Sequence, residues 1–406
     1  MATIAKERNL PEHVPADLVV DIDIYDIPGA KEDPQGCWRI FKGRGPLVWS
    51  PYNGGHWIAT EGKAVFRFFR DPEHFSSSAL AIPDPGDRML PIQADPPEHA
   101  KHRANIQFLV TPERVEQLEP RVRELTVELI EGFRERGECE FVSEFALQLP
   151  LIIFLEMVGL PLDDRLLLRD MIHRFLKATD GPTRYDIHME IHHYLENWVN
   201  LRRENPGDDG ISRIIASTID GRPYTQQEVL ETLTLLLHAG LDTLMNMLGF
   251  IALHLARNPK DRDYIRDNPS KMHNIIQELL RRYTGPQLGR KLAKDYIYEG
   301  VTMKQGDMIM LSPFFFNQDE TTLDDPDAVD FERKNIKHIT FGSGPHTCAG
   351  ALLARREIMI FLQEWLARIP DFTVDPERPP ELSSQAQNSV EALWLTWPRK
   401  DAAHAG

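Results

Sequence analysis

The stretch TFGSGPHTCAG, residues 340 to 350, puts Cys348 among three glycines directly ahead of a segment with helical periodicity. The chain holds two other cysteines, Cys37 and Cys139, far apart and without the C-x-x-C spacing of a zinc or dithiol site. A lone thiol is ordinarily inert packing, but these neighbours argue for more. Gly342, Gly344 and Gly350 permit positive-φ backbone close to a flat ligand, and Phe341 offers a ring to pack on it. Unpaired N–H groups at the start of the following helix favour thiolate over thiol, making the sulfur a metal ligand or a nucleophile. One anionic sulfur in an apolar loop suits a haem iron.

FGSGPHTCAG resembles the F-G-x-G-x-H-x-C-x-G haem loop of the cytochrome P-450 family and matches all of its fixed positions. The resemblance makes Cys348 the axial ligand of the iron of haem b (iron protoporphyrin IX), with Phe341, Gly342 and Gly350 beside the ring. ELLR at 278–281 resembles the family's E-x-x-R, in which Glu278 and Arg281 form a buried structural ion pair joined by Arg333 of DFER. Standing alone, the same residues read as an exposed helical salt pair. DPPEHAKHR at 95–103 resembles the family's H-x-x-x-R, which puts His99 and Arg103 near a haem propionate, with Arg290 and His346 at matching positions. Arginine forks suit such carboxylates. AGLDT at 239–243 resembles the oxygen-binding bend of the family's central helix, with Asp242 and Thr243 as a proton-delivering acid–alcohol pair. Gly240 weakens a helix by roughly 1 kcal/mol relative to alanine, and a threonine hydroxyl competes for carbonyls, so a local opening is expected there.

The elements that must position these groups are mainly helices. From about Glu98 onward apolar residues recur at three and four, as in RVRELTVELIEGF, EVLETLTLLLHAGLDTLMNMLGFIALHLA and NIIQELLRRY. The second window is apolar almost all round and should cross the middle of the molecule. Strand-like patches sit at HWIAT, YIYEGVTM and DMIMLSP, and a last helix, ALLARREIMIFLQEWLARI, follows the cysteine loop. The first 40 residues, rich in Pro, Asp and Gly, read as an arm lying across a body. The resemblance implies a mainly α fold with a minor β region. It is a single cytochrome P-450 domain over 1–406, a triangular prism with haem between the long central helix and the Cys-loop helix. The likeness runs over nearly the whole chain and is greatest to the camphor-type bacterial subfamily, through LPEHVPADLV, NGGHWIAT, HFSS, DPPE, GLDT, ELLRR, ARREI and EWLARIPDF.

Composition narrows the partners. Net charge is −16, with 62 acidic against 46 basic side chains, which disfavours nucleic acid and anionic lipid. No charged leader precedes an apolar run, and three separated cysteines suit a reducing cytoplasm. By resemblance the chain is a monooxygenase that inserts one atom of O2 into a C–H bond of a small apolar, terpenoid-like substrate. It carries neither a G-x-G-x-x-G fingerprint nor an iron–sulfur cysteine set. Electrons must therefore come from outside, from a [2Fe–2S] ferredoxin served by an NAD(P)H-dependent ferredoxin reductase, to a monomer. Lys334, Lys337, Arg355 and Arg356 flank the cysteine loop, with Arg103 close by, as a basic patch for an acidic ferredoxin. A peroxide-driven haem oxygenase and a non-catalytic haem ligand-binding protein are the alternatives, and the Asp242–Thr243 pair argues against both.

The substrate side departs from the camphor-type pattern. The loop SSSALAIPDPGDRMLPIQADPP lacks the phenylalanine and the tyrosine that shape a camphor pocket, with Ala81 near the expected phenylalanine, so camphor is not the expected substrate. Candidate pocket residues are Ala81, Met89, Leu235, His238, Ala239 and Gln387. His238 either faces the pocket or bonds a backbone carbonyl. His188 and His192, in HMEIHH, have zinc-like spacing but no H-E-x-x-H glutamate, and are expected on an exposed face with no second metal.

Overall fold

The computed structural model describes residues 10–399 apart from Asp87, Thr179 and Ala386. Its longest element is the central helix, Gln226–Arg257. A capping box sets its start: Thr225 Oγ1 accepts from the Glu228 N–H at 3.2 Å, and Glu228 Oε2 accepts from the Thr225 N–H at 2.8 Å. Leu233, Leu237, Leu248, Ile251 and Leu255 bury one face after another, so this helix is core. By length and composition alone it passes for a bilayer-crossing helix, yet its surface is mostly buried inside the protein.

Three helices, Gln148–Val158, Arg165–Lys177 and Gly181–Glu204, pack on the central helix from one side. The helix after the cysteine loop, Ala351–Arg368, packs on Pro112–Arg134, where Phe361 and Trp365 are buried. A five-stranded sheet runs in the order Leu47–Ser50, His56–Ala59, Met308–Leu311, Leu288–Leu292, Phe75–Ser76. It carries Arg290, paired in register with Ile309.

The N-terminal arm is built into this sheet side. Val20 N donates to Trp49 O at 2.8 Å, and Ile24, Trp38 and Phe41 are buried in one cluster with the strands. The first nine residues of the chain lie outside the described residues.

One buried ionic knot holds the ground beneath the cysteine loop. On Met272–Arg282, Arg281 grips Glu278 with two N–H groups at 2.7 and 2.8 Å, and both side chains are fully buried. Arg333 Nε joins at 3.2 Å. The guanidinium of Arg281 also reaches the carbonyls of Asn317, Pro326 and Ala328 at 3.0, 2.7 and 2.8 Å. Removing one partner of such a pair costs about 3–5 kcal/mol, because the other charge is left buried and alone.

Candidate functional site

A cavity of about 450 Å³ lies between the central helix and the cysteine loop. Phe341, Gly342, His346, Cys348 and Gly350 line it from one side, and Leu235, His238, Ala239, Gly240, Asp242 and Thr243 from the other. The loop is held by its own backbone: Cys348 N donates to Phe341 O at 2.8 Å, and Gly342 N to Ile339 O at 2.8 Å. Gly342 and Gly344 sit at φ +74° and +79°, as expected of glycines here. At Gly344 a Cβ would also come within 2.8 Å of Phe69 O. Gly350 departs from the expectation: its φ is −78°, and it is the N-cap of Ala351–Arg368. Beyond its chain neighbours, a Cβ there would meet, among the described residues, Cys348 Sγ at 3.9 Å, so Gly350 leaves open the space beside the sulfur.

The thiol is not activated by the helix end alone. The N–H groups of Gly350 and Ala351 and the charges of Arg103 and Arg355 pull its pKa down, but burial outweighs them and raises it.

Four basic side chains gather at one edge of the cavity. His99 comes from Glu98–Ala104, Arg103 from the same helix, Arg290 from the sheet and His346 from the loop. The rings of His99 and His346 lie 4.2 Å apart between centroids. Arg103 Nη2 donates to Thr347 O at 2.8 Å and so ties the helix to the loop. Arg290 is buried, donates to Gly289 O at 2.7 Å, and is lowered by burial to about 10. Burial first, then Arg290, His99 and Arg103, push His346 down to about 3, and neither of its ring nitrogens has a partner. The nearby Asp95 spends its carboxylate on Ser76 and Ser77. This edge is a cluster of donors suited to an anion.

On the opposite wall the central helix runs unbroken through Gly240, where an opening was expected. Packing explains the glycine instead: a Cβ would lie 2.6 Å from the ring of Phe154. Thr243 Oγ1 donates to Ala239 O at 3.0 Å, within the helix. Asp242 is buried, and burial raises its pKa to about 6, with Arg169 and Lys177 opposing and Glu391 assisting.

All six pocket candidates, Ala81, Met89, Leu235, His238, Ala239 and Gln387, line the cavity. His238 takes the pocket side of its two alternatives: Nε2 has no partner, Phe175 meets the ring edge-on at 4.3 Å, and burial lowers its pKa to about 3. The exposed face expected for His188 and His192 is overturned for His188, which is buried, while His192 is half-buried. Their helix turns Arg184, Ile187, His188, Ile191, Leu195 and Val199 inward onto the central helix, and the two rings meet at 4.4 Å. No group of three or more His, Cys, Asp or Glu among the described residues is arranged to hold a metal ion. The expected basic patch is thinner than the sequence implies, because Arg356 is paired with Glu119 across the helix interface and Arg355 lies over the Phe341 ring at 4.4 Å. Lys334 and Lys337 are exposed.

Among the lining residues that were not anticipated are Tyr25, Phe175, Arg184 and Glu357. Arg184 shares the inward stripe of Ile187, Ile191 and Leu195, a spacing readable in the sequence. Tyr25 comes from the arm and had no such signal.

The sequence profile described as Cytochrome P450 matches residues 270–395. A probable cytochrome P450 127A1 of Sinorhizobium fredii is 32% identical over 97% of this chain and 98% of its own length. The chain belongs to the cytochrome P450 family. The crystal structures of CYP101J2 and CYP101C1 each superpose with a TM-score of 0.87 at 37% identity, covering 96% of this chain and 99% and 100% of theirs. A second curated relative, the cytochrome P450 CYP107DY1 of Priestia megaterium, is 32% identical over 69% of this chain and 70% of its own. This P450 is therefore a monooxygenase with haem b as its cofactor, using O2 and redox partners. The cavity fits that group: the orphaned nitrogens of His346 and the buried Arg290 await carboxylates, and Gly350 keeps the space at the sulfur clear.

Proposed function

We propose that this P450 hydroxylates a small apolar, terpenoid-like substrate, with Cys348 as the residue that would hold the haem iron. His99, Arg103, Arg290 and His346 would hold the propionates, and Phe341, Gly342 and Gly350 would lie beside the ring. The haem supplies one-electron chemistry and the activation of O2 for insertion of one oxygen atom into a C–H bond. Asp242 and Thr243 manage protons. The supporting observation is that this pair and Cys348 line one cavity from opposite sides. Asp242, raised to about 6 by burial, can both give and take a proton near neutral pH. The Thr243 hydroxyl, donating to Ala239 O, keeps its lone pairs free to accept from water or substrate-side donors.

The substrate reading rests on the lining, which is apolar over Leu80, Ile82, Met89, Ile153, Phe175 and Leu235. Electrons come, in this reading, from a [2Fe–2S] ferredoxin and its reductase, docking in the cytoplasm on the face of Lys334 and Lys337. Replacing Asp242 by Asn should cut ferredoxin-supported turnover about 100-fold, the scale of a lost general acid. Undiminished turnover in that variant, or equal turnover with peroxide in place of ferredoxin, would sink the proton-delivery role.

A further inference from the structure

Among the described residues Arg184 forms no ion pair, and its charge acts on Asp180 from beyond ion-pair distance. Arg184 is 2% exposed on the cavity wall. The neighbouring Asp180 is exposed and accepts from Thr183 N at the helix start. What holds Arg184 is neutral: Nη2 donates to Tyr25 Oη at 2.9 Å, and the guanidinium lies 5.2 Å from the centre of that ring. Tyr25 in turn donates to Ile82 O at 2.6 Å, which commits its only proton. Nη1 is buried and has no partner.

Arginine cannot escape this position by shedding its proton. A buried unpaired charge is among the costliest arrangements in a protein, and cation–π contact with one tyrosine offsets a small part of it. The other arginines on the cavity, Arg103 and Arg290, belong to the basic edge already described. Its acids, Asp242 and Glu357, make no ion pair with Arg184. The surrounding wall is apolar, with Ile82, Met89 and Phe175.

We propose that Arg184 is the specificity-determining anchor for a carboxylate on the substrate, so that this P450 acts on a compact apolar carboxylic acid. A neutral ketone or alcohol would accept a hydrogen bond from Arg184 but leave the charge uncompensated; a carboxylate does both, through the planar fork that suits it. The apolar skeleton fills the rest of the chamber and presents its C–H bonds. The inference rests on the reading of this cavity as the substrate chamber of a terpenoid hydroxylase.

The test is a spin-state titration of the haem-loaded protein with perillic acid and with perillyl alcohol, which share a skeleton and differ in charge. Wild type should bind the acid at least tenfold more tightly than the alcohol. Arg184→Met should abolish that preference and Arg184→Lys retain part of it, with the reduced carbon monoxide spectrum confirming that each variant holds its haem. Equal affinities in wild type, or a preference that survives Arg184→Met, overturn the anchor. If the alcohol binds and is hydroxylated without any preference for the acid, only the anchor falls. If neither compound shifts the spin state, the terpenoid reading falls with it.

Discussion

His346 and His99 sit ring against tilted ring, 52° between planes and 4.2 Å between centroids, with both nitrogens of His346 unbonded. Two imidazoles beside two arginines suit an anion, and in the proposed function the haem propionates would supply one.

Arg290→Met should therefore weaken haem retention. Charge-assisted hydrogen bonds are worth about 1.5–3 kcal/mol, so haem loss should speed up about tenfold or more. Transfer of haem to apomyoglobin measures it. Arg290→Lys should lie between the two, and an unchanged transfer rate in Arg290→Met would remove Arg290 from the propionate site.

The local parts of the site were legible in the sequence, and the parts made by long-range packing were not. Cys348, His346 and their glycines lie within one loop, Glu278 and Arg281 within one helical turn, and Asp242 beside Thr243, so each set is a local motif that the family resemblance could assign. The wall formed by Tyr25 and Arg184 joins residues 159 positions apart, through contact between arm and helix that no local pattern encodes. The inward turn of His188 lay between these cases: Ile187, Ile191 and Leu195 mark the buried stripe, but a run of histidines reads as polar.

Gly240 separates packing from helix propensity. Alanine there should help the helix by about 1 kcal/mol, yet its Cβ would meet the Phe154 ring at 2.6 Å, and overpacking costs about 1–3 kcal/mol. Gly240→Ala should thus lower the urea midpoint, and adding Phe154→Leu should restore part of it. A stabilised Gly240→Ala protein would show that helix propensity, not the Phe154 ring, governs this position.

Glu357 gives stability a pH dependence. It is buried on Ala351–Arg368, Oε1 has no partner, and burial raises its pKa to about 8. The folded protein holds this proton where the unfolded chain has released it, so stability is full below the unfolded carboxyl value and is lost as pH rises through about 8. Glu357→Gln removes the titration. Its unfolding free energy should gain on wild type by up to about 1.4 kcal/mol per pH unit across that window. Parallel curves for the two proteins from mildly acidic to alkaline pH would refute the buried neutral acid.

The axial role of Cys348 carries the rest of the account, and the reduced carbon monoxide complex tests it directly. Wild type should show the red-shifted Soret band of thiolate-ligated haem, and Cys348→Ala should lose it while remaining folded. A wild-type band at the position of histidine-ligated haem, or a red-shifted band that persists in Cys348→Ala, would contradict the assignment.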